Sequence, residues 1–265
     1  RVRLVKGSHI IVRKFWEGPH AYLFQNHDKR VIFVNPYEND LCLIGTTDIP
    51  YEGRAEDVSI DTHEIGYLLA AVNRYTKKQF TRADIISSFS GVRPLSDDNA
   101  ANPSAVTRDY VFDCDGEPPL LSVFGGKITT YRKLAEHALQ ILKPFFPVMK
   151  GDWTAKAALP GGDIPNADFD AFVASLRREF PWVPEDVANH YARLYGSRVE
   201  KIINGASSLK GLGRHFGGIF YEAEATYLRT HEWAQTAEDI LDRRTKYGLH
   251  LSLQERESLA RYLND

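Results

Sequence analysis

Short apolar runs separated by turn-forming residues fill the first half of the chain. Runs of this length are typical of β-strands, and the glycine, proline, asparagine and aspartate residues between them favour tight turns. The first four runs predict an antiparallel meander. The predicted strands cover residues 10–12, 21–24, 31–34, 41–44, 85–89, 105–110 and 120–124, the last of them as a buried strand.

Helices are predicted beside these strands at two places. Asp61 is a favourable N-cap residue, and Glu64 follows three positions later, where it can close a capping box. The apolar face of this helix consists of Ile65, Leu68, Leu69 and Val72. An amphipathic helix also follows the glycines at 125 and 126, with an apolar stripe at Leu134, Ala138 and Leu142.

Helical periodicity dominates the second half, where strand signals largely vanish. Helices are predicted over residues 168–179, 184–195, 198–205, 221–230, 237–245 and 252–263. The change in pattern places a domain boundary near residue 150. We therefore predict an α+β protein. Its domain 1–150 has a mainly antiparallel sheet with flanking helices, and an all-α domain covers residues 151–265.

Composition narrows the class of protein. The chain has 265 residues, of which 43% are hydrophobic and 26% charged, as in ordinary soluble globular proteins. Its net charge of −2 argues against a general nucleic-acid binder. Cys42 and Cys114 have neither metal-site spacing nor a disulfide framework, which fits a reducing, cytoplasmic compartment. No metal is expected, and no apolar run approaches the roughly 20 residues of a transmembrane helix.

The start of the chain leads to one further expectation. It opens at Arg1 in what reads as mid-strand, and no Gly-x-Gly-x-x-Gly fingerprint for a dinucleotide follows. We expect the chain to be part of a longer protein.

The segment from Gly125 to Thr129 is the strongest candidate for chemistry. A strand that turns through two glycines into a helix leaves backbone N–H groups free at the helix start, where they favour an anion or an electron-rich carbonyl. Lys127 adds a positive charge at the same place. The spacing is not that of a P-loop, and the glycine pair could equally serve a tight connection.

Three further residues are candidates because each lies at the end of an apolar strand. Arg93 follows Ser90 and Gly91, and a structural ion pair is an equally good interpretation. Arg108 precedes Asp109, and such neighbours are more often a surface pair than a ligand site. His9 is either a catalytic group or a hydrogen-bonded structural histidine.

Read together and in this order, these segments resemble the FAD-dependent glycerol-3-phosphate dehydrogenases, the aerobic, quinone-linked enzymes of the D-amino-acid-oxidase-like superfamily. The most specific block is Gly125-Gly126-Lys127-Ile128-Thr129 with Thr130, Tyr131 and Arg132 after it. The resemblance covers nearly the whole chain. It runs through residues 5–10, 44–48, 90–95, 107–110, 121–136, 159–162, 194–196 and 231–239.

The resemblance implies oxidation of sn-glycerol 3-phosphate to dihydroxyacetone phosphate by hydride transfer to FAD, with the electrons passed to a membrane quinone. It implies that Arg93 and Arg108 bind the phosphate and that His9 accepts the hydroxyl proton. Lys127 would approach the substrate or the flavin carbonyl edge, which makes it a catalytic and substrate-binding candidate as well. The cofactor-binding candidates are Gly91, Gly125, Gly126, Lys127, Ile128 and Thr129.

The resemblance also implies a cellular location for the protein. We expect a peripheral contact with the inner face of the membrane, and the oligomeric state, a homodimer included, is left open. The family's N-terminal FAD-binding half is not in this sequence, so we expect the isolated chain to be inactive. Two alternatives remain: an oxidase that uses oxygen, and a non-catalytic fragment whose basic helical half contacts a membrane or a subunit.

Overall fold

The computed structural model describes residues 2–96 and 109–264, and the chain divides into two compact units, Arg1–Ala155 and Lys156–Asp265. No helix in these described ranges is long and apolar enough to cross a membrane.

A six-stranded antiparallel sheet forms the centre of the first unit. Its long strand β1 pairs along one edge with β6, and along the other edge with β4 and β5. The sheet continues from β4 through β3 to β2. The strands are β1 (Val2–Arg13), β2 (Tyr22–Gln25), β3 (Val31–Tyr37), β4 (Leu41–Gly45), β5 (Ile49–Pro50) and β6 (Ser87–Ser96).

One face of this sheet packs on helix α1 (Thr62–Asn73). Successive side chains of a strand point to opposite faces. On β1, Ser8, Ile10 and Val12 therefore lie on the helix side, where Ile10 and Val12 join the buried cluster that contains Leu68 of α1. Gly7 and His9 lie on the opposite side, which we call the open face.

The predicted start of α1 is confirmed. Asp61 is the N-cap residue, and its carboxylate accepts hydrogen bonds from the backbone N–H groups of His63 and Glu64. The side chain of Glu64 closes the capping box by accepting the backbone N–H of Asp61 at 3.1 Å. Satisfied N–H groups at the first turn stabilise the helix locally.

The later strands of the first unit form a separate hairpin. Strand β7 (Tyr110–Asp115) pairs with β8 (Leu120–Gly125), and α2 (Tyr131–Leu142) follows. The prediction of a buried strand over 120–124 is wrong in its burial, since Leu120 is 69% exposed. The reason is that β8 belongs to a two-stranded sheet, so few neighbours cover it within the described residues. Of the strand predicted over 105–110, residues 105–108 lie outside the described ranges.

The second unit is helical, and one large apolar cluster lies between its helices. A short hairpin joins β9 (His215–Gly217) to β10 (Phe220–Tyr221), and a π-helical segment covers Asp239–Arg244. The predicted fold class, an antiparallel sheet with flanking helices followed by a helical region, is confirmed. The helices are α3 (Phe169–Glu179), α4 (Glu185–Tyr195), α5 (Glu200–Ile203), α6 (Glu222–His231) and α7 (Leu253–Asn264).

Two glycine-containing segments, residues 159–162 and 194–196, meet inside the second unit. The backbone N–H of Ser197 donates to the carbonyl of Gly161 at 3.1 Å. A Cβ atom at Gly161 would meet the carbonyl of Tyr195, and the φ angles of Gly161 and Gly196 are +85° and +53°. These motifs therefore have a structural role, because only glycine lets the two backbones approach this closely.

Candidate active site

His9 lies on the open face of the sheet between two cross-strand neighbours. The register places it opposite Gly45 on β4 and opposite Phe89 on β6. Its ring stacks on Phe89 with the ring centroids 4.9 Å apart. On the other side, a Cβ atom at Gly45 would come within 2.7 Å of Cγ and Nε2 of His9. The glycine therefore makes the space that the imidazole occupies.

The environment of His9 keeps the imidazole neutral. Burial lowers the pKa of His9, and the positive charge of Arg93 lowers it further. Its Nδ1 atom is buried and has no hydrogen-bond partner among the described residues. A neutral imidazole with an unused nitrogen can accept a proton, which is what the predicted catalytic role of His9 requires.

Arg93 lies on the same face as His9, and another glycine makes room for it. A Cβ atom at Gly7 would come within 2.5 Å of both terminal nitrogens of the guanidinium. The guanidinium donates to Asp48 at 2.8 Å and to the hydroxyl of Thr46 at 3.3 Å. The ion pair that sequence reasoning left open is therefore present. The side chain is nevertheless 30% exposed, so a phosphate can still approach it.

The open face continues as one row of residues across five strands. From β2 to β6 the cross-strand partners are Leu23, Phe33, Gly45, His9 and Phe89. Leu23 is 58% exposed, and Phe33 and Phe89 are each 46% exposed. A row of exposed apolar side chains beside a partly buried imidazole is typical of an interaction or ligand-binding surface.

Gly91 lies at the edge of this face, where β6 pairs with β1. It is opposite Gly7, and a Cβ atom at Gly91 would meet nothing within 4 Å. Nothing inside the described chain therefore requires glycine here on steric grounds. The predicted cofactor-binding role of Gly91 stays a prediction.

The predicted turn after β8 is present. Gly125 and Gly126 have φ angles of +72° and +102°. Glycine adopts such angles without the steric strain that other residues would incur. Lys127 is exposed and forms an ion pair with Asp109 at 3.5 Å. Within the described ranges no hydrogen bond or ion pair joins Lys127 to His9 or Arg93. Arg108 lies outside the described residues.

The exposed turn and the open face both fit a flavin. A 3-10 turn over Ile128–Thr130 begins α2, and Ile128 is 89% exposed. Backbone N–H groups at such a start can bind the carbonyl oxygens of a flavin. The apolar row on the sheet suits one face of a planar ring system.

Sequence reasoning missed the residues behind the open face. Glu64 has a fully buried side chain that contacts Lys6, Ser8 and Thr47 as well as Asp61. The only signal in the sequence was the capping box, which explains a single one of these contacts. The others join residues far apart in the chain, and no local pattern reports them.

Comparison with known proteins assigns both units. Residues 1–132 match the family described as FAD dependent oxidoreductase. Residues 153–263 match the family described as the C-terminal domain of alpha-glycerophosphate oxidase. The family is FAD-dependent, which confirms the expected cofactor.

Individual relatives agree with this assignment. D-erythritol 1-phosphate dehydrogenase of Brucella abortus is 62% identical over all of this chain and 53% of the relative. Glycerol-3-phosphate dehydrogenase of Pseudomonas aeruginosa is 50% identical over 99% of this chain and 52% of the relative. The chain thus spans about half the length of the curated relatives it matches.

A solved structure supports the fold. The glycerol-3-phosphate dehydrogenase of Bacillus halodurans, complexed with FAD, has a TM-score of 0.81 and 28% identity over 99% of this chain and 52% of that protein. The sheet, its open face and the helical unit are therefore those of a known flavoprotein architecture. The chain belongs to the FAD-dependent oxidoreductases, and its second unit is a C-terminal domain of the alpha-glycerophosphate oxidase type.

Proposed function

We propose that the protein to which this chain belongs is an FAD-dependent dehydrogenase of short polyol phosphates. It would oxidise a secondary hydroxyl to a ketone. The observation that carries the proposal is the pairing of Arg93 with His9 on the open face, a cation for the phosphate beside a neutral base for the hydroxyl proton. The family match and the names of the relatives support the same chemistry.

Each candidate residue has a defined task in this proposal. Arg93, with Arg108, binds the non-reacting phosphate and so holds the hydroxyl-bearing carbon in place. His9 accepts the hydroxyl proton. The backbone N–H groups of Lys127, Ile128 and Thr129 stabilise charge at the flavin carbonyl edge, with Lys127 as the nearby cation. FAD supplies the acceptor for the hydride.

Two substrates are candidates within this class. sn-Glycerol 3-phosphate, which would give dihydroxyacetone phosphate, agrees with the resemblance seen in the motifs and with the P. aeruginosa relative at 50% identity. D-erythritol 1-phosphate is favoured by the higher identity, 62%, to the B. abortus enzyme. One additional carbon bearing a hydroxyl distinguishes the two, and a pocket discriminates such ligands by the hydrogen bonds it offers.

The electron acceptor and the location belong to the proposal as well. We expect electrons to pass to a quinone and the protein to lie peripherally at the inner face of the membrane. The alternative is an oxidase, which would produce peroxide from oxygen. The isolated chain is expected to have no activity, since it spans only about half the length of the curated relatives it matches.

The experiment uses the full-length protein with a dye as electron acceptor. Wild type, Arg93→Ala and Arg93→Lys are assayed with both polyol phosphates, and Arg54→Ala serves as a control because Arg54 is 78% exposed and pairs only with exposed acids in the described structure. We expect Arg93→Ala to lower kcat/KM by at least about tenfold, equivalent to about 1.4 kcal/mol, with FAD retained.

The ratio of kcat/KM for the two substrates identifies the preferred one. Turnover with neither substrate would refute the proposed class. Unchanged turnover in Arg93→Ala would keep the class and remove Arg93 from the site. Peroxide formed in proportion to substrate would favour the oxidase.

A further inference from the structure

A buried carboxylate lies behind the open face and contacts strand β1, the segment after β4 and the N-cap of α1. The side chain of Glu64 has no exposed surface. Its Oε2 atom accepts from Nζ of Lys6 at 2.7 Å and from the backbone N–H of Asp61 at 3.1 Å. Its Oε1 atom accepts from the hydroxyls of Ser8 at 2.7 Å and Thr47 at 2.6 Å. A helix cap requires only the contact with Asp61.

The other partners of Glu64 are immediate neighbours of the candidate site residues. Ser8 lies between Gly7 and His9 on β1. Thr47 lies between Thr46 and Asp48, the two residues that bind the guanidinium of Arg93. Because neighbouring residues of a strand point to opposite faces, a contact that fixes Ser8 from behind also fixes the backbone that presents His9 in front.

The same network reaches the strand that carries Arg93. The hydroxyls of Ser8 and Ser90 are 2.7 Å apart, and Ser90 separates Phe89, which stacks on His9, from Gly91. The backbone N–H of Ser8 also donates to the hydroxyl of Thr47 at 2.9 Å. One carboxylate therefore joins β1, β6 and the segment after β4 at the point where the open face carries its charged groups.

The charge of Glu64 is essential to this arrangement. Burial alone raises the pKa of Glu64, but the hydrogen bonds from Lys6, Thr47 and Ser8 outweigh burial and leave the pKa below its ordinary value. The carboxylate is thus ionised and accepts all four donors. A glutamine of the same shape presents N–H groups at one end, which would face either the Lys6 ammonium or the two hydroxyls.

We propose that Glu64 is a positioning residue for the substrate-binding face: it holds the strand backbones of His9 and the Arg93–Asp48 pair in register from the opposite side of the sheet. The catalytic part of this inference rests on the proposed function. The structural part concerns the backbone alone and does not depend on the substrate.

The test compares four variants of the full-length holoenzyme. Glu64→Gln removes the charge and keeps the shape. Thr47→Val removes one donor to Oε1, whereas Thr47→Ser keeps it. Asp61→Ala is the matched control. It removes the side-chain cap of α1 and the second carboxylate partner of Lys6, 3.2 Å from Nζ, and it leaves all four donors to Glu64 in place.

The kinetic readout separates positioning from general stability. We expect Glu64→Gln to raise KM for the polyol phosphate by about tenfold or more, the scale on which small misplacement of a binding group acts. Thr47→Val should shift KM in the same direction, and Thr47→Ser should stay within about twofold of wild type. Asp61→Ala should lower Tm through loss of its cap and leave KM within about twofold of wild type. Shifts in KM that follow the loss of Tm equally in all variants would overturn the proposal.

Backbone hydrogen exchange supplies a readout that needs no substrate. Glu64→Gln should speed exchange at amides of residues 44–48 and 87–93, and Asp61→Ala should affect mainly the first turn of α1. If wild type turns over neither polyol phosphate but this exchange pattern is found, the proposed function fails and the positioning role stands. Unchanged exchange in Glu64→Gln would refute the positioning role whatever the substrate.

Discussion

Replacing Gly45 by alanine tests whether the position of His9 matters for activity. The added Cβ atom would lie 2.7 Å from Cγ and Nε2 of His9, whereas non-bonded carbon atoms normally stay about 3.5–4.0 Å apart. The ring would have to move by more than about 1 Å, because its Cδ2 atom would be closer still to the added Cβ atom. Phe89 stacks on the ring from the other side, with the ring centroids 4.9 Å apart. A displacement of about 1 Å can cost up to about 100-fold in rate.

The assay is the dye-coupled turnover of the full-length protein with its preferred polyol phosphate. We expect Gly45→Ala to lower kcat/KM by about tenfold to 100-fold. Gly66→Ala is the matched control, because a Cβ atom at this helical position meets nothing within 4 Å. The control should keep full activity and gain about 0.5–1 kcal/mol of stability from its better helix propensity.

Stability measurements identify the cause of the loss. Overpacking at Gly45 should cost about 1–3 kcal/mol in the free energy of unfolding. Adding Phe89→Ala gives the ring room to move away, so the double variant should recover part of that cost. If Gly45→Ala kept both its stability and its kcat/KM, the account of His9 as a tightly held proton acceptor would be wrong.

Three further outcomes are expected. Gly91→Ala should leave the thermal stability of the isolated chain unchanged, since the added Cβ atom meets open space. The same change should weaken flavin or substrate binding in the full-length protein. Unchanged binding would remove Gly91 from the site. Wild type should have a higher free energy of unfolding than Glu64→Gln. This difference should be complete above the unfolded pKa of Glu64, about 4.3, and should shrink as the pH falls through the lower folded pKa. Urea titrations between about pH 7 and pH 3 measure it. Tyr247→Phe should destabilise the second unit by about 1–3 kcal/mol, because it removes a donor to the buried carboxylate of Glu224. Tyr191→Phe should be neutral or stabilising, because the buried Tyr191 hydroxyl has no partner among the described residues. Equal losses of stability in thermal melts of the two variants would contradict this reasoning.

Local sequence patterns determined the elements of this fold. Alternating apolar residues predicted the strands that became β2, β3 and β4 within a residue or a few, and the capping box at Asp61 and Glu64 marked the start of α1 correctly. These features depend on neighbours within one turn or one strand, so the sequence reports them directly. Burial of β8 was predicted wrongly, since burial depends on what packs over a strand and not on the strand's own residues.

Tertiary structure decided which residues form the site. His9 and Arg93 are 84 positions apart and lie on one face only because β1 and β6 pair antiparallel in this register. A shift of one residue would turn either side chain to the other face. Glu64 shows the same division most clearly. The sequence specified its contact with Asp61, three residues away, and folding added Lys6 and Ser8 from β1 and Thr47 from a loop. A buried charge must be paired, and only the tertiary structure brings these donors to it.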